Sequence, residues 1–131
     1  LEQAIALTPR ESEPLDWADL QTKLGNVWAD KVDYDATLET SDQAVAAYRR
    51  ALEVQTPEQN IGEWEHLQIY VVQIMLKTAV PLADLDRIKD ARETSDMAAK
   101  VLVAHENAAD AEILSKWLPL LDQLIGLMTA K

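Results

Sequence analysis

Residues Gln43 to Pro57 read QAVAAYRRALEVQTP. Within this stretch Ala44, Tyr48 and Ala51 are spaced i, i+4 and i+7, which places their side chains on one face of a helix. Two alanines around one aromatic ring allow a second helix to approach closely while the ring fills the space between them. The stretch therefore predicts a helix that packs tightly against a neighbouring helix.

A related pattern of small and large residues lies upstream at Leu24 to Trp28, which reads LGNVW. Together the two segments resemble the tetratricopeptide repeat, whose first helix carries leucine-glycine and an aromatic residue and whose second carries alanine, aromatic, alanine and then a proline. The resemblance covers residues 1–57, with a partial echo LEQAIALTP at 1–9, and extends over 58–131 only as a periodicity. It implies an all-α solenoid of helix–turn–helix units whose first helices line a concave, protein-binding groove.

Two sequence features repeat along the chain. Trp17, Trp64 and Trp117 recur about every 50 residues, and the sequence ETSD occurs at 39–42 and again at 93–96. This period is longer than that of the usual tetratricopeptide unit and is similar to variants found in large multi-repeat bacterial proteins. We therefore predict a single repeat domain over residues 1–131, with Trp64 and Trp117 packed between helices.

Capping and turn residues predict about five helices after a partial one at residues 1–7. The predicted helices span residues 14–31, 40–55 (or 35–55 with earlier turns), 62–79, 81–106 and 110–129, and residues 80–94 remain open as helix or loop. The residues expected at their starts are, in order, Pro14, Thr40 or Ser41, Gly62 or Glu63, Pro81 and Asp110. Pro119 is expected to kink the last helix, because proline lacks the amide hydrogen that a helix interior needs.

The two ends of the chain differ in pattern. On a helical wheel, residues 113–129 divide into an apolar half and a polar half. A solenoid needs a terminal helix with a polar outer face, so we expect this helix to close the C-terminal end of a longer array. No such cap is present at residues 1–7, which predicts self-association through the N-terminal end and an excised fragment of a longer protein.

A narrow polar stripe marks the candidate binding groove. It recurs with the spacing i, i+4, i+7, i+11 on the helices predicted at 14–31 and 62–79. Its members are Asp19, Lys23, Asn26 and Asp30 on the first helix and His66, Tyr70, Gln73 and Lys77 on the second. The resemblance implies that Asn26 hydrogen-bonds the backbone of a bound peptide. The alternative is that these residues form solvated faces that brace each other, for instance through an Asp30–Lys77 ion pair.

Composition limits the partners and the chemistry. The net charge of −11 makes nucleic acid and anionic membrane surfaces unsuitable partners and favours a basic or polar protein or peptide. Cysteine is absent, which fits a cytoplasmic protein and excludes thiol chemistry. His105-Glu106 has Ala109 where a zinc-protease motif needs its second histidine. We therefore expect no catalytic residues, no metal site and no cofactor.

Two functions remain open at this point. The first is a non-catalytic interaction module that binds a partner peptide or protein in the groove. The second is a scaffold or sensor arm, the end of a solenoid attached to a catalytic domain elsewhere in the parent chain. A binding module should show an open groove with free polar side chains, whereas a spacer should have that face occupied by its own chain.

Overall fold

The computed structural model describes residues 2–130, so Leu1 of the predicted N-terminal helix lies outside the described residues. The helices are α1 Glu2–Leu7, α2 Pro14–Tyr34, α3 Leu38–Leu52, α4 Pro57–Ala79, α5 Leu85–Ala104, α6 Ala108–Ser115 and α7 Trp117–Thr129. No strand occurs within residues 2–130. Each helix packs against the next in sequence, and α5 also packs against α7 and α2 against α4. The predicted all-α class is confirmed.

Helix α3 begins at Leu38, within the earlier turns that the sequence leaves open, but the predicted cap at Thr40 or Ser41 is wrong. Thr37 is the N-cap, and its hydroxyl oxygen accepts a hydrogen bond of 3.1 Å from the amide of Thr40. The hydroxyl oxygen of Thr40 accepts one in return from the amide of Thr37, also at 3.1 Å. This reciprocal pair satisfies two amides that a helix start otherwise leaves without partners. The helix therefore begins at Leu38, a few residues before the predicted cap.

The starts of α4 and α5 also follow from capping residues. Asn60 has extended backbone angles (φ −164°, ψ 94°) inside α4, and its side-chain oxygen accepts a hydrogen bond from the amide of Glu63. The regular part of α4 therefore begins beside Asn60, close to the predicted Gly62. Of the segment 80–94, which the sequence leaves open as helix or loop, residues 80–84 form a turn and the rest is helix, so α5 does not open at Pro81. The side chain of Asp84 caps the helix by accepting from the Arg87 amide.

The predicted final helix is divided in two. The break lies at Lys116, between α6 and α7, and Asn107 rather than Asp110 occupies the N-cap position of α6. Pro119 is the physical cause, because it cannot donate to the carbonyl of Ser115 and its ring crowds that group. Lys116 itself keeps helical backbone angles (φ −65°, ψ −24°), so the break is a kink, as predicted for Pro119.

The apolar half of α7 is only partly covered. Leu121 is buried, but the side chains of Leu120 and Leu127 are 65% and 73% exposed. The expectation that this helix buries its apolar half and turns a polar face outward is therefore wrong for these two leucines. Amphipathicity identified the apolar face of α7, but no helix within residues 2–130 lies over all of it.

Three clusters of buried side chains form the core. The first joins α2, α3, α4 and α5 around residues such as Leu67 and Val71, the second surrounds Trp64 and Leu102, and the third surrounds Ile88. Trp117 packs against all three clusters. The predicted packing of Trp64 and Trp117 between helices is confirmed.

The tightest helix contact lies between α2 and α3. Ala44, Tyr48 and Ala51 are all buried, as the sequence predicts. A Cβ atom built on Gly25 would lie 2.6 Å from two carbons of the Tyr48 ring. Only glycine leaves room for the ring at this position, and the contact fixes α2 beside α3.

Candidate functional site

The eight polar residues of the predicted stripe are all exposed on α2 and α4. Five of them line one concavity of about 300 Å³, between these helices: Asn26, Asp30, Tyr70, Gln73 and Lys77. Asp19, Lys23 and His66 do not line it. The spacing of the stripe therefore predicted a set of exposed side chains, of which five line the concavity.

Four further residues line the concavity, and two of them, Tyr48 and Asp33, carry polar groups that the sequence did not lead us to place there. Tyr48 reaches it from α3, and Asp33 lies near the C-terminal end of α2. Tyr48 was assigned only to the core because its spacing matched the alanines of a packed face. Asp33 lies seven residues after Asn26, on the same helix face, and this spacing was a signal for it.

Tyr48 connects the core to the concavity. Its hydroxyl donates a hydrogen bond of 2.7 Å to the side-chain oxygen of Asn26. Burial, followed by the charge interactions with Tyr70 and Asp30, raises the pKa of Tyr48 to about 12. The hydroxyl therefore stays protonated at neutral pH and holds the Asn26 amide in one orientation.

This bond occupies the side-chain oxygen of Asn26 and leaves its amide nitrogen free within residues 2–130. Its oxygen accepts from Tyr48, whereas its amide nitrogen donates to no group within residues 2–130. Asn26 is exposed, so this nitrogen can donate to a ligand or to water. The side chain of Gln73, across the concavity on α4, likewise makes no hydrogen bond to the described part of the chain.

The charged groups of the stripe are partly paired. Lys77 contacts Asp33 with an Nζ–Oδ1 distance of 2.7 Å, and Lys23 contacts Asp19 at 2.9 Å. The suggested Asp30–Lys77 pair is wrong. Lys77 pairs instead with Asp33, which lies about one helical turn further along α2. None of the ion pairs formed within residues 2–130 includes Asp30.

Aromatic rings form one wall of the concavity. The rings of Tyr48 and Tyr70 are 5.6 Å apart at a tilt of 42°. The ring of His66 stacks on the other side of Tyr70, with centroids 6.4 Å apart. His66 therefore supports Tyr70 from outside the concavity rather than lining it.

The exposed side chains of Gln73 and Lys77 form a ridge along α4. A second, larger cavity of about 660 Å³ lies on the side of this ridge that faces α7. Its lining is mainly apolar and consists of Leu76, Trp117, Leu120 and Leu121, together with Gln73 and Lys77. Gln73 and Lys77 thus line both cavities. The second cavity was not predicted, because Trp117 was expected to pack between helices and the apolar half of residues 113–129 was expected to be covered.

Neither a metal-binding cluster nor a membrane-spanning helix occurs within residues 2–130. Residues 2–130 contain no group of three or more His, Asp or Glu side chains placed to hold a metal ion. Over the same range, no helix combines the length and apolarity needed to cross a membrane.

Comparison of the chain with protein-family models, with curated proteins and with solved structures gave no match. The resemblance to tetratricopeptide repeats therefore rests on the residues of this sequence alone.

Proposed function

We propose that this chain is a non-catalytic interaction domain, a longer-period bacterial tetratricopeptide-like solenoid that binds a segment of a partner protein in the groove between α2 and α4. The observation that carries the proposal is the concavity of about 300 Å³ in which Asn26, Asp30 and Gln73 present polar groups without partners in residues 2–130. The absence of cysteine agrees with a cytoplasmic protein.

The amide groups suit recognition of a peptide backbone. Asn26 and Gln73 face the same concavity from two helices, so their side chains can bond carbonyl and amide groups of one extended segment. Tyr48 fixes the Asn26 amide before any ligand arrives, which lowers the entropy that binding must offset. A rigid donor of this kind supports binding better than a freely rotating surface amide.

The charge of the domain supports a basic or polar partner. The net charge of −11 would attract such a partner at long range, and salt would weaken that attraction. Asp30 supplies one carboxylate at the groove that no cation of residues 2–130 neutralises. A partner with a lysine or arginine near its binding segment fits this surface.

The scaffold alternative is favoured by one observation. Lys77 and Lys23 are paired with carboxylates of their own chain, so part of the polar stripe braces the domain itself. Such exposed pairs are worth about 0–1 kcal/mol each. In this alternative, the domain ends a solenoid attached to a catalytic domain elsewhere in the parent chain.

A display library of random 12-residue peptides separates these functions. We expect wild-type protein to enrich specific peptides, measured afterwards by fluorescence anisotropy of labelled copies. The variant Asn26→Ala/Gln73→Ala should bind them about tenfold more weakly, because two hydrogen bonds of about 0.5–1.5 kcal/mol each are lost. The control Gln59→Ala/Gln123→Ala removes two exposed amides elsewhere and should bind like wild type.

Two results would contradict the binding function. One is the absence of any enriched peptide on wild-type protein. The other is a set of peptides whose affinity is the same for wild type and for the Asn26→Ala/Gln73→Ala variant, with both proteins folded by circular dichroism. Either result would favour the scaffold alternative.

A further inference from the structure

The two cavities beside α4 form one divided groove. Gln73 and Lys77 stand one helical turn apart on α4 and line the cavity on each side. Asp30 and the tyrosines lie on one side of this ridge, and Trp117 and Leu120 lie on the other. A segment that crosses the ridge would therefore meet two different chemical environments.

The side toward α7 is suited to a large apolar side chain. This cavity is open to solvent, and its volume of about 660 Å³ is large enough to accept one bulky side chain. Leu120 lines this cavity, and 65% of its apolar side chain is exposed to water. Covering Leu120 and Trp117 with an apolar group removes this surface from water, which favours binding.

The side toward α2 is suited to a cationic side chain. Asp30 carries a carboxylate without a cationic partner in residues 2–130. The ring of Tyr70, which is 40% exposed, lines the same concavity, and aromatic faces attract ammonium and guanidinium groups. A lysine or arginine would gain both contacts, whereas a carboxylate would meet Asp30 at a cost.

The width of the ridge sets the spacing between these two side chains. One helix with its side chains is about 10 Å across, and an extended chain covers about 3.3–3.6 Å per residue. Three residues therefore span the ridge. Resting on the proposed binding function, we propose that the groove selects an extended partner segment with a large apolar residue and an arginine or lysine three positions apart.

The test uses fluorescein-labelled 12-residue peptides in a glycine, serine and glutamine background. Each contains one phenylalanine and one arginine three positions apart, in one order or the other, and a matched set has citrulline in place of arginine. We expect one of the two orders to bind wild-type protein, and its citrulline copy to bind at least fivefold more weakly. Fluorescence anisotropy measures the affinities.

Variants assign each side chain to its cavity. Asp30→Asn should weaken the arginine peptide at least fivefold and leave the citrulline peptide unchanged, whereas the charge-matched control Glu93→Gln should change neither. Leu120→Ser should weaken both peptides about tenfold, whereas Leu127→Ser, at an equally exposed leucine of α7 outside the cavity, should change neither.

Failure of this inference is distinguishable from failure of the binding function. If neither order binds, or if Asp30→Asn weakens both peptides equally, the proposed selectivity is wrong. The binding function would still stand if library-selected peptides lose affinity in the Asn26→Ala/Gln73→Ala variant. If no library peptide binds either, both proposals are wrong.

Discussion

The α-carbon of Gly25 lies so close to the ring of Tyr48 that a Cβ atom at this position would come within 2.6 Å of two ring carbons. Tyr48 is 2% exposed and belongs to the core cluster of α2 to α5, so a shift of its ring away from Gly25 would disturb that packing. The contact joins α2 to α3 and places the Tyr48 hydroxyl beside Asn26. One glycine therefore determines both a core contact and the geometry of the groove.

Gly25→Ala should destabilise the domain although alanine is the better helix former. Overpacking costs about 1–3 kcal/mol, and the gain in helix propensity offsets about 1 kcal/mol of it. Gly126→Ala is the matched control, since nothing lies within 4 Å of a Cβ atom there, and it should stabilise by about 0.5–1 kcal/mol. Urea denaturation measures both; equal stabilisation by the two changes would contradict the tight contact.

Tyr48→Phe should reduce the loss in free energy of unfolding that the domain undergoes at alkaline pH. The pKa of Tyr48 is raised from 10.0 to about 12 in the folded protein, so above pH 10 the unfolded chain loses this proton first. Stability from this group is full below pH 10 and is lost as the pH rises toward 12, by up to about 2–3 kcal/mol. Denaturation midpoints at pH 8, 10 and 11 should therefore fall less steeply in Tyr48→Phe than in wild type.

The matched control for this change is Tyr34→Phe, at a side chain that is 78% exposed. It should keep the wild-type pH dependence. At neutral pH, Tyr48→Phe should also cost about 1 kcal/mol, because the bond to Asn26 is lost. An alkaline profile that is the same in wild type and Tyr48→Phe would show that Tyr48 ionises as it does in the unfolded chain.

The variants Asp84→Ala and Asp84→Asn should distinguish the contribution of a helix cap to stability from that of an ion pair. Asp84 accepts from the Arg87 amide and pairs with the Arg87 guanidinium, with an Nη1–Oδ2 distance of 2.6 Å. Asn caps as well as Asp, so Asp84→Asn should lose only the charge, whereas Asp84→Ala should lose about 1 kcal/mol more. Thermal melts of the two variants measure the difference, and equal melting temperatures would exclude a role for the cap.

The same carboxylate predicts an acid dependence. The backbone hydrogen bond from Arg87 is the largest cause that holds the pKa of Asp84 below its usual 3.8. Its contribution to stability is therefore present above that value and is lost as the pH falls through the lowered pKa. The advantage of wild type over Asp84→Asn should shrink when melts are repeated below pH 4.

Glu65→Gln should stabilise the domain at neutral pH. Partial burial is the first cause that raises the pKa of Glu65, followed by its hydrogen bond and charge interaction with Asp110. The fold therefore favours protonated Glu65, and this contribution is lost as the pH rises through the raised pKa. Because Glu65 is half-buried and solvent screens it, the gain should be about 0.5 kcal/mol at pH 7.

The gain from Glu65→Gln should disappear at pH 4 and below, where Glu65 of the folded wild type already carries its proton. Glu93→Gln removes an exposed charge elsewhere on the surface and should not show this pH-dependent gain. Melting temperatures at pH 4 and pH 7 provide the comparison. A gain that is equal at both pH values would mean that the fold does not raise the pKa of Glu65.

Helix faces were predictable from the sequence, whereas side-chain pairing was not. The spacing of Ala44, Tyr48 and Ala51 predicted a buried face, and the i, i+4, i+7, i+11 stripe predicted an exposed one. Spacing does not determine which carboxylate a long lysine reaches, so Lys77 was assigned to Asp30 and contacts Asp33 instead. Hydrogen-bond distances of this kind depend on the positions of several helices together.

Helix boundaries and coverage were harder to predict for two separate reasons. Thr37 and Thr40 form a capping box with threonine where the usual pattern has glutamate or glutamine, so the sequence signal was weak. The wheel of α7 showed which face is apolar, but it carries no information about what covers that face. The exposed Leu120 and the cavity beside it therefore appeared only in three dimensions.

Trp117 makes the far end of the chain part of the whole core, because its ring packs against all three clusters. In arrays whose units contact only their neighbours, the units can unfold one after another from an end. Here, loss of α7 would remove packing from the cluster that contains Ala18 and Val45 near the other end. We therefore expect the domain to unfold in one cooperative transition, so that truncation of α7 would melt the groove as well as the helix that was removed.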